Sequence, residues 1–277
     1  MSSAAALAEH DVFAANRARG RVALSVAAVD GVTRRVAVQE EGSLRVRFPG
    51  PFAAALEAVI VNTAGGVAGG DQLDLDFKVG PGARLIVGSV AAEKVYRSEG
   101  AAASVNVRLD VAPGAALSWL PQELIFFNEA RLRRRIDVEL AGDASVLIGE
   151  AVIFGRSAMG EQVSAGQFFD RWRLRRDGRL LFADGLRLDG DIAMRLAESA
   201  IANGNIALAT VLMSPGDDGQ VAAVRAAAEQ FIGEVGISAW GGITLMRLCA
   251  PDGAALRHDL TVALAALGQS VPRLWLN

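Results

Sequence analysis

The chain has 277 residues, of which 52% are hydrophobic and 21% charged, and this composition indicates a globular protein with a substantial core rather than a disordered chain. The 28 basic and 31 acidic residues interleave to a net charge of −3, which argues against a surface for nucleic acid or anionic lipid. A single cysteine, Cys249, excludes an intramolecular disulfide and a thiolate-rich metal site.

The N-terminal segment Met1–His10 is apolar but has neither a basic region nor a clear cleavage site. No apolar stretch of the chain reaches the roughly 18 residues that a membrane span requires. We therefore expect a soluble, cytoplasmic protein that does not bind membranes. No Pro/Ser-rich linker or charge run marks a boundary, so we predict one domain over residues 1–277, with 1–19 as a candidate disordered terminus.

Strict alternation of apolar and polar residues predicts half-buried β-strands over the first two thirds of the chain. The clearest strand is Gln72–Val79, and the same pattern recurs around Val105–Val111 and Ile136–Leu140. Trp172, Leu174 and Leu180 flank an Arg-Asp-Gly turn at 176–178, which predicts a hairpin.

A weak internal repeat runs through these strands. Val79-Gly-Pro-Gly-Ala-Arg-Leu85 returns as Val111-Ala-Pro-Gly-Ala-Ala-Leu117 and, more loosely, as 140–146, so turns recur about every 30 residues. Stacked strand-turn-strand units would bury a continuous core, as β-solenoids and layered sandwiches do. Ordinary hairpin turns would give the same pattern, and the sequence leaves both interpretations open.

The last third changes period and predicts two helices. Apolar residues follow helical spacing from Val221 to Val235, with Asp217 or Asp218 as the cap and Gly233 near the end. The spacing returns from Leu256 to Leu267, with Gly268 near the end, and 240–249 between them is typical of a strand. The predicted fold class is mainly β, layered, with two or so helices in the C-terminal third.

The segment 59–71 is a predicted strand that leads into a glycine-rich loop ending at Asp71. A dinucleotide fingerprint fails because Val67 occupies the position of a required glycine and a strand follows in place of a helix. A P-loop fails because Asp71 stands where a lysine is required. The four glycines at 65, 66, 69 and 70 instead predict positive φ angles or close backbone contacts that fix the direction of Asp71.

Histidine and cysteine chemistry has few candidates, because the only histidines are His10 and His258 and neither lies in a triad-like context. Several acids are instead flanked by apolar residues or glycine, which predicts partial burial. A buried carboxylate must pair, become neutral or line a wet cavity, so these acids are candidates for arginine pairs or for a polar internal path. They are Asp71, Glu93, Glu123, Glu150 and Asp184.

Eight short motifs follow one another along the chain. They are Asn62–Asp71, Ala92–Ser98, Trp119–Glu123, Phe126–Asn128, Gly155–Glu161, Arg171–Arg179, Leu181–Asp184 and Pro272–Trp275. In this order they resemble the motifs of the urease accessory protein family UreD, also called UreH, over about residues 20–277. Gly88–Val90 departs from the Thr-Thr-Gln-like run usual in the family, and Leu188–Asn205 matches poorly, as a variable loop or short helix would.

The resemblance implies an elongated, β-helix-like fold and a non-catalytic scaffold. Family members act with UreF and the GTPase UreG, the latter contacted through UreF, to deliver nickel to the urease apoprotein along an internal path. No tightly bound cofactor is expected. The five acids above would then contact Ni²⁺ transiently, since oxygen ligands hold such an ion loosely.

Two alternatives stay open at the level of sequence. A β-solenoid carbohydrate-active enzyme with paired carboxylates would share the acids and the strands, although four Trp and one Tyr are few for sugar stacking. The second alternative is a conformational chaperone that opens apo-urease while another protein carries the metal.

Overall fold

Two large sheets form the body of the protein in a computed structural model that describes residues 17–50, 55–156 and 159–276. The first, sheet A, has seven strands in the order β14-β13-β11-β8-β5-β1-β2. Its strands are β1 (Arg19–Val29), β2 (Val32–Gly42), β5 (Gln72–Val79), β8 (Ala103–Val111), β11 (Arg131–Leu140), β13 (Gly166–Arg176) and β14 (Arg179–Gly190).

The second, sheet B, has ten strands, with eight in the order β16-β17-β15-β12-β9-β6-β4-β3 and with β7 and β10 beside the end of β12. Its strands are β3 (Leu44–Arg47), β4 (Ala55–Asn62), β6 (Arg84–Ser89), β7 (Glu93–Val95), β9 (Ala116–Trp119), β10 (Leu124–Phe126), β12 (Ser145–Phe154), β15 (Ala207–Ser214), β16 (Glu234–Trp240) and β17 (Ile243–Ala250).

The chain winds between the two sheets as a solenoid. β5, β8 and β11 lie parallel in sheet A, and β6, β9 and β12 lie parallel in sheet B, so each coil crosses from one sheet to the other. The crossings are the three repeats at 79–85, 111–117 and 140–146, which confirms the stacked-unit interpretation. Successive turns bond to one another: Gly114 N–H donates to Asp143 Oδ1 of the next crossing at 2.6 Å, and Gly142 N–H donates to Asp177 Oδ1 of the turn between β13 and β14 at 3.0 Å.

The main core lies between the sheets and contains fully buried Phe77, Phe126 and Phe168. A second core covers the opposite face of sheet B, where β12, β15 and β17 pack against helices. β12 is buried on both faces because it contributes to both cores. The predicted layered, mainly β architecture is therefore confirmed.

Three helices are present among the described residues: α1 (Ile192–Ala197), α2 (Asp218–Ala226) and α3 (Gly253–Ala266), with 3₁₀ turns at Ala228–Gln230 and Arg273–Leu276. α1 lies in the stretch 188–205, for which the sequence predicts a variable loop or short helix. Asp217 caps α2 through a capping box, and Gly268 follows α3 with φ +67°, as predicted. None of the described helices is long and apolar enough to cross a membrane.

The first predicted C-terminal helix is too long, and this prediction is corrected. α2 ends at Ala226, and the periodic residues Ile232 and Val235 lie in a loop and in β16. Gly233 is not a helix cap: a side chain there would overlap the carbonyl of Cys249, so it allows β16 to approach β17 closely. The predicted strand at 240–249 begins at Ile243 because Gly241 and Gly242, both with positive φ, form the hairpin turn.

Of the predicted disordered terminus 1–19, residues 1–16 lie outside the described part of the chain. Arg19 begins β1, and the backbone N–H of Ala18 donates a hydrogen bond to Asp71.

Candidate functional site

The glycine-rich loop after β4 adopts the predicted geometry. Gly65 and Gly70 have φ +76° and +86°, the left-handed region that favours glycine. A Cβ on Gly66 would overlap the ring of Tyr96, and one on Gly69 would overlap Ser98. The loop therefore has a single backbone conformation, which residues with a Cβ could not adopt at these four positions without strain or overlap.

The loop presents Asp71 to the backbone rather than to open space. Its Oδ1 accepts the N–H of Ala18 at 2.8 Å, its Oδ2 accepts the N–H of Ala68 at 2.7 Å, and the residue is only 5% exposed. Charge-assisted bonds of this kind are strong and fix both the loop and the start of β1. Asp71 thus anchors the loop on which it lies.

Glu93, at the start of β7, is half-buried and has no cationic partner among the described residues. Asn62 Nδ2 lies 3.2 Å from each carboxylate oxygen of Glu93 and 3.0 Å from the carbonyl of Gly66, so the side chain is tied to the glycine loop. Burial raises the pKa of Glu93 to about 7, the amide of Asn62 opposes that rise, and the nearby charge of Asp71 adds to it.

Glu150, in contrast, belongs to a buried ionic cluster between the two sheets. Its Oε1 accepts Trp119 Nε1–H at 2.7 Å, and its Oε2 pairs with Arg134 of β11. Arg134 also makes a two-pronged pair with Asp170 of β13, with Nε–Oδ1 at 3.0 Å and Nη2–Oδ2 at 2.6 Å. Trp172 Nε1–H completes the network on Asp170 Oδ2 at 3.0 Å.

This cluster has two carboxylates for one guanidinium, so it contains one formal negative charge in excess. Burial raises the pKa of Glu150, and the charge of Arg134 opposes that rise. Burial alone would lower the pKa of Arg134, but Asp170 and Glu150 raise it above its ordinary value. Because loss of one partner strands a buried charge at a cost of about 3–5 kcal/mol, the members are mutually dependent.

Arg134 and Asp170 were not among the sequence candidates, although the sequence contains a signal for them. Both stand at inward positions of alternating strands, Arg134 between Leu132 and Ile136 and Asp170 between Phe168 and Trp172. A charged residue at such a position must find a buried partner. Alternation therefore could have identified the cluster, but not which residues pair.

Glu123 and Asp184 are also paired with arginines. Glu123 is 8% exposed and accepts Arg257 of α3 at 2.7 Å and 2.5 Å, which ties that helix to the solenoid. Asp184 of β14 pairs with Arg247 of β17 at 2.6 Å, at the open edge where the two sheets meet. The structure thus supplies an arginine for three of the five candidate acids.

The five acids do not form one site. Glu93 lies near Asp71, and its backbone N–H donates to the carbonyl of Glu123 at 2.9 Å, whereas Glu150 lies deeper between the sheets. Strand register places Glu150 and Arg247 on one face of sheet B, separated by Thr210, so Asp184 lies farther toward the edge. Across the described residues, no group of three or more His, Cys, Asp or Glu side chains is arranged to hold a metal ion.

Comparison with known proteins gives one consistent family. The family described as UreD urease accessory protein matches residues 18–276. A urease accessory protein UreD from Rhodopseudomonas palustris (strain BisA53) is 54% identical over 271 residues, covering 98% of this chain and 95% of the relative. One from Bradyrhizobium diazoefficiens is 54% identical over 266 residues, covering 96% of each chain, and a UreD 1 from a Bradyrhizobium species is 51% identical with 98% of each chain covered.

Proposed function

Because the chain belongs to the UreD family of urease accessory proteins, we propose that it acts in urease maturation as a non-catalytic scaffold that assists nickel delivery to the urease apoprotein. The family assigns the role in maturation. The finer proposal is that the protein binds UreF, contacts UreG through UreF, and works in the cytoplasm. It is supported by the resemblance of eight motifs along the chain to those of the family.

Four of the five candidate carboxylates already have binding partners within the protein, which supports a scaffold role. Glu150, Glu123 and Asp184 are each held by an arginine, and Asp71 is held by two backbone N–H groups. A carboxylate already neutralised by a guanidinium is a poor ligand for a divalent cation, because the cation must displace the arginine. These four acids are accordingly better suited to maintaining the fold than to carrying an ion.

The proposed contact with nickel is supported by the environment of Glu93. It has no arginine or lysine partner in the described chain, and a pKa of about 7 leaves it partly deprotonated at neutral pH. Metal binding requires the deprotonated ligand and releases its proton. The carboxylate oxygens of Glu93 are ligands that would hold a borderline ion loosely, as a relay requires.

The test is the nickel content of urease co-expressed with UreF, UreG and either the wild-type chain or the Glu93→Gln variant. Glutamine keeps the size of Glu93 and one of its two acceptor oxygens toward Asn62 but removes the anionic ligand. We expect the variant to assemble with UreF normally and to lower both nickel per urease and urease activity several-fold.

Glu99→Gln is the matched control, since Glu99 is an exposed glutamate nearby and should leave nickel loading unchanged. Normal nickel loading with Glu93→Gln would remove Glu93 from the relay and favour the conformational chaperone. A variant that no longer binds UreF would instead make Glu93 a structural residue.

A further inference from the structure

The outer face of sheet A carries a local excess of positive charge at one end, formed by β11, β13 and β14. We define this arginine face by seven outward arginines and the three carboxylates among them. The arginines are Arg131, Arg133, Arg135, Arg171, Arg173, Arg175 and Arg187, and the carboxylates are Asp137, Glu139 and Asp189. Four positive charges are therefore in excess here, in a chain whose net charge is −3.

The carboxylates of the arginine face neutralise only part of it. Asp137 pairs with Arg171 at 3.2 Å, Glu139 with Arg175 at 3.3 Å and Asp189 with Arg187 at 3.2 Å. The other four arginines have no carboxylate partner among the described residues. Arg131 donates instead to the carbonyl of Gly100 at 3.0 Å.

Strand register brings like charges together. Arg135 of β11 lies directly opposite Arg171 of β13, and such a pair destabilises the sheet. Arg171 Nε is shielded from solvent and has no hydrogen-bond partner within the described part of the chain. The fold thus maintains a repulsive arginine pair at the centre of the arginine face, and an incoming carboxylate would relieve this repulsion.

An aromatic ring lies in the next row. Arg133, Phe169 and Arg187 are neighbours across three strands, with the two guanidinium carbons 5.7 Å and 4.9 Å from the ring centroid of Phe169. Stacking on the ring orients the two guanidinium groups and leaves the N–H donors of Arg133 free of any carboxylate of the described chain, while Arg187 donates to Asp189. Arginine and aromatic residues are the types that dominate binding energy at protein interfaces.

We propose that the arginine face is a docking surface for a protein partner that presents carboxylates. The proposal rests on the proposed function, because the partner is one of the proteins of urease maturation. Arginine forks match carboxylates in a two-pronged geometry. The interspersed Asp137, Glu139 and Asp189 would repel the continuous phosphate charge of a nucleic acid but fit the mixed charges of a protein surface.

The test compares the full-length wild-type chain with Arg133→Glu/Arg135→Glu in binding to purified UreF and to purified urease apoprotein at two salt concentrations. We expect the double variant to weaken binding to one partner by about tenfold or more, with the wild-type affinity falling as salt rises. Arg21→Glu/Arg225→Glu is the control, because it makes the same charge change at exposed positions outside the arginine face and should bind as wild type does.

The outcomes separate the two proposals. If the wild type binds a partner and Arg133→Glu/Arg135→Glu binds it within twofold, the docking surface is wrong while the proposed function stands. If the wild type binds neither protein, the proposed function itself fails. If the wild type binds duplex DNA or single-stranded RNA tightly and the double variant does not, the proposal that the arginine face binds a protein is wrong. Circular dichroism and thermal unfolding of both double variants establish that they are folded.

Discussion

Glu150 is buried and Glu93 is half-buried, and the pKa of both carboxylates lies above its ordinary value, but their surroundings give them different roles. Glu150 is neutralised by Arg134 and bonded to Trp119, so its charge is part of the structure. Glu93 has an amide for a neighbour and Asp71 close by, so its charge costs free energy in the folded protein. Because Glu93 is partly shielded from solvent and has no cationic partner among the described residues, it is the candidate acid that can release its proton and bind a metal ion instead.

This difference predicts a pH-dependent stability for the wild type. A group whose pKa is raised from 4.5 to about 7 on folding contributes stability that is complete below pH 4.5 and is lost as pH rises through 7. Glu93→Gln has no such proton to lose. Relative to wild type, the variant should gain about 2 to 3 kcal/mol in the free energy of unfolding between pH 5 and pH 8.

Urea unfolding of both proteins at the two pH values measures that gain, and Glu99→Gln provides a baseline for an exposed glutamate. A difference between wild type and Glu93→Gln that is constant with pH would show that the pKa of Glu93 is not raised in the folded protein.

At the scale of elements, the glycine loop and β7 depend on each other for their position. The loop packs its glycines against Tyr96 and Ser98, and Tyr96 donates its hydroxyl to the carbonyl of Gly65 at 2.8 Å. Asn62 then ties Glu93 to the same loop. A change in the glycines should accordingly move Glu93 and Asp71 without unfolding the sheets.

We expect Gly69→Ala to show this coupling. The added methyl group would overlap Ser98 and crowd the carbonyl of Ala101, 2.7 Å away, at a cost of about 1–3 kcal/mol in the free energy of unfolding. Urease nickel loading should fall about as far as with Glu93→Gln, while binding of UreF persists.

Gly100→Ala is the control because a Cβ at Gly100 meets nothing within 4 Å. Unfolding by denaturant, pull-down with UreF and urease nickel content would be measured for both variants. Full nickel loading with Gly69→Ala would separate the loop from the relay.

The molecule as a whole exposes several large apolar side chains. Met159, Met194, Ile232 and Val36 are 60% or more exposed, and Trp240 is 47% exposed. The chain is 52% hydrophobic with a mean hydropathy of +0.30, which is high for a chain whose surface must stay in water. Such a surface is typical of a protein that functions inside an assembly.

We therefore expect the isolated chain to aggregate and co-expression with UreF to raise its soluble fraction. The measurement is the soluble yield and the size-exclusion profile with and without UreF, with an unrelated soluble protein co-expressed as the control. A monodisperse isolated chain that stays soluble at high concentration would contradict a large obligate interface.

The sequence by itself determined the class of fold and the units from which it is built. Alternation identifies β5, β8 and β11 because a strand with one buried face must repeat with period two. The glycine turns at 80–82 and 112–114 locate the crossings between sheets because few residues other than glycine adopt positive φ. The order of the motifs identified the family, because eight short segments in one order can be recognised without knowing how the chain folds.

Only the tertiary structure decided which residues meet. The helix predicted over 221–235 is too long. Apolar residues at this spacing can pack from a helix or, as Val235 does, from an edge strand, so the local pattern does not show where the helix ends. Likewise, flanking residues predict that a carboxylate is buried but not what lies opposite. Arg134, 16 residues before Glu150, and Arg257, 134 residues after Glu123, become partners because the coils and α3 bring them there. Pairing across such separations is a property of the packed sheets, and it left Glu93 with the amide of Asn62 and the backbone of Lys94 but without an arginine.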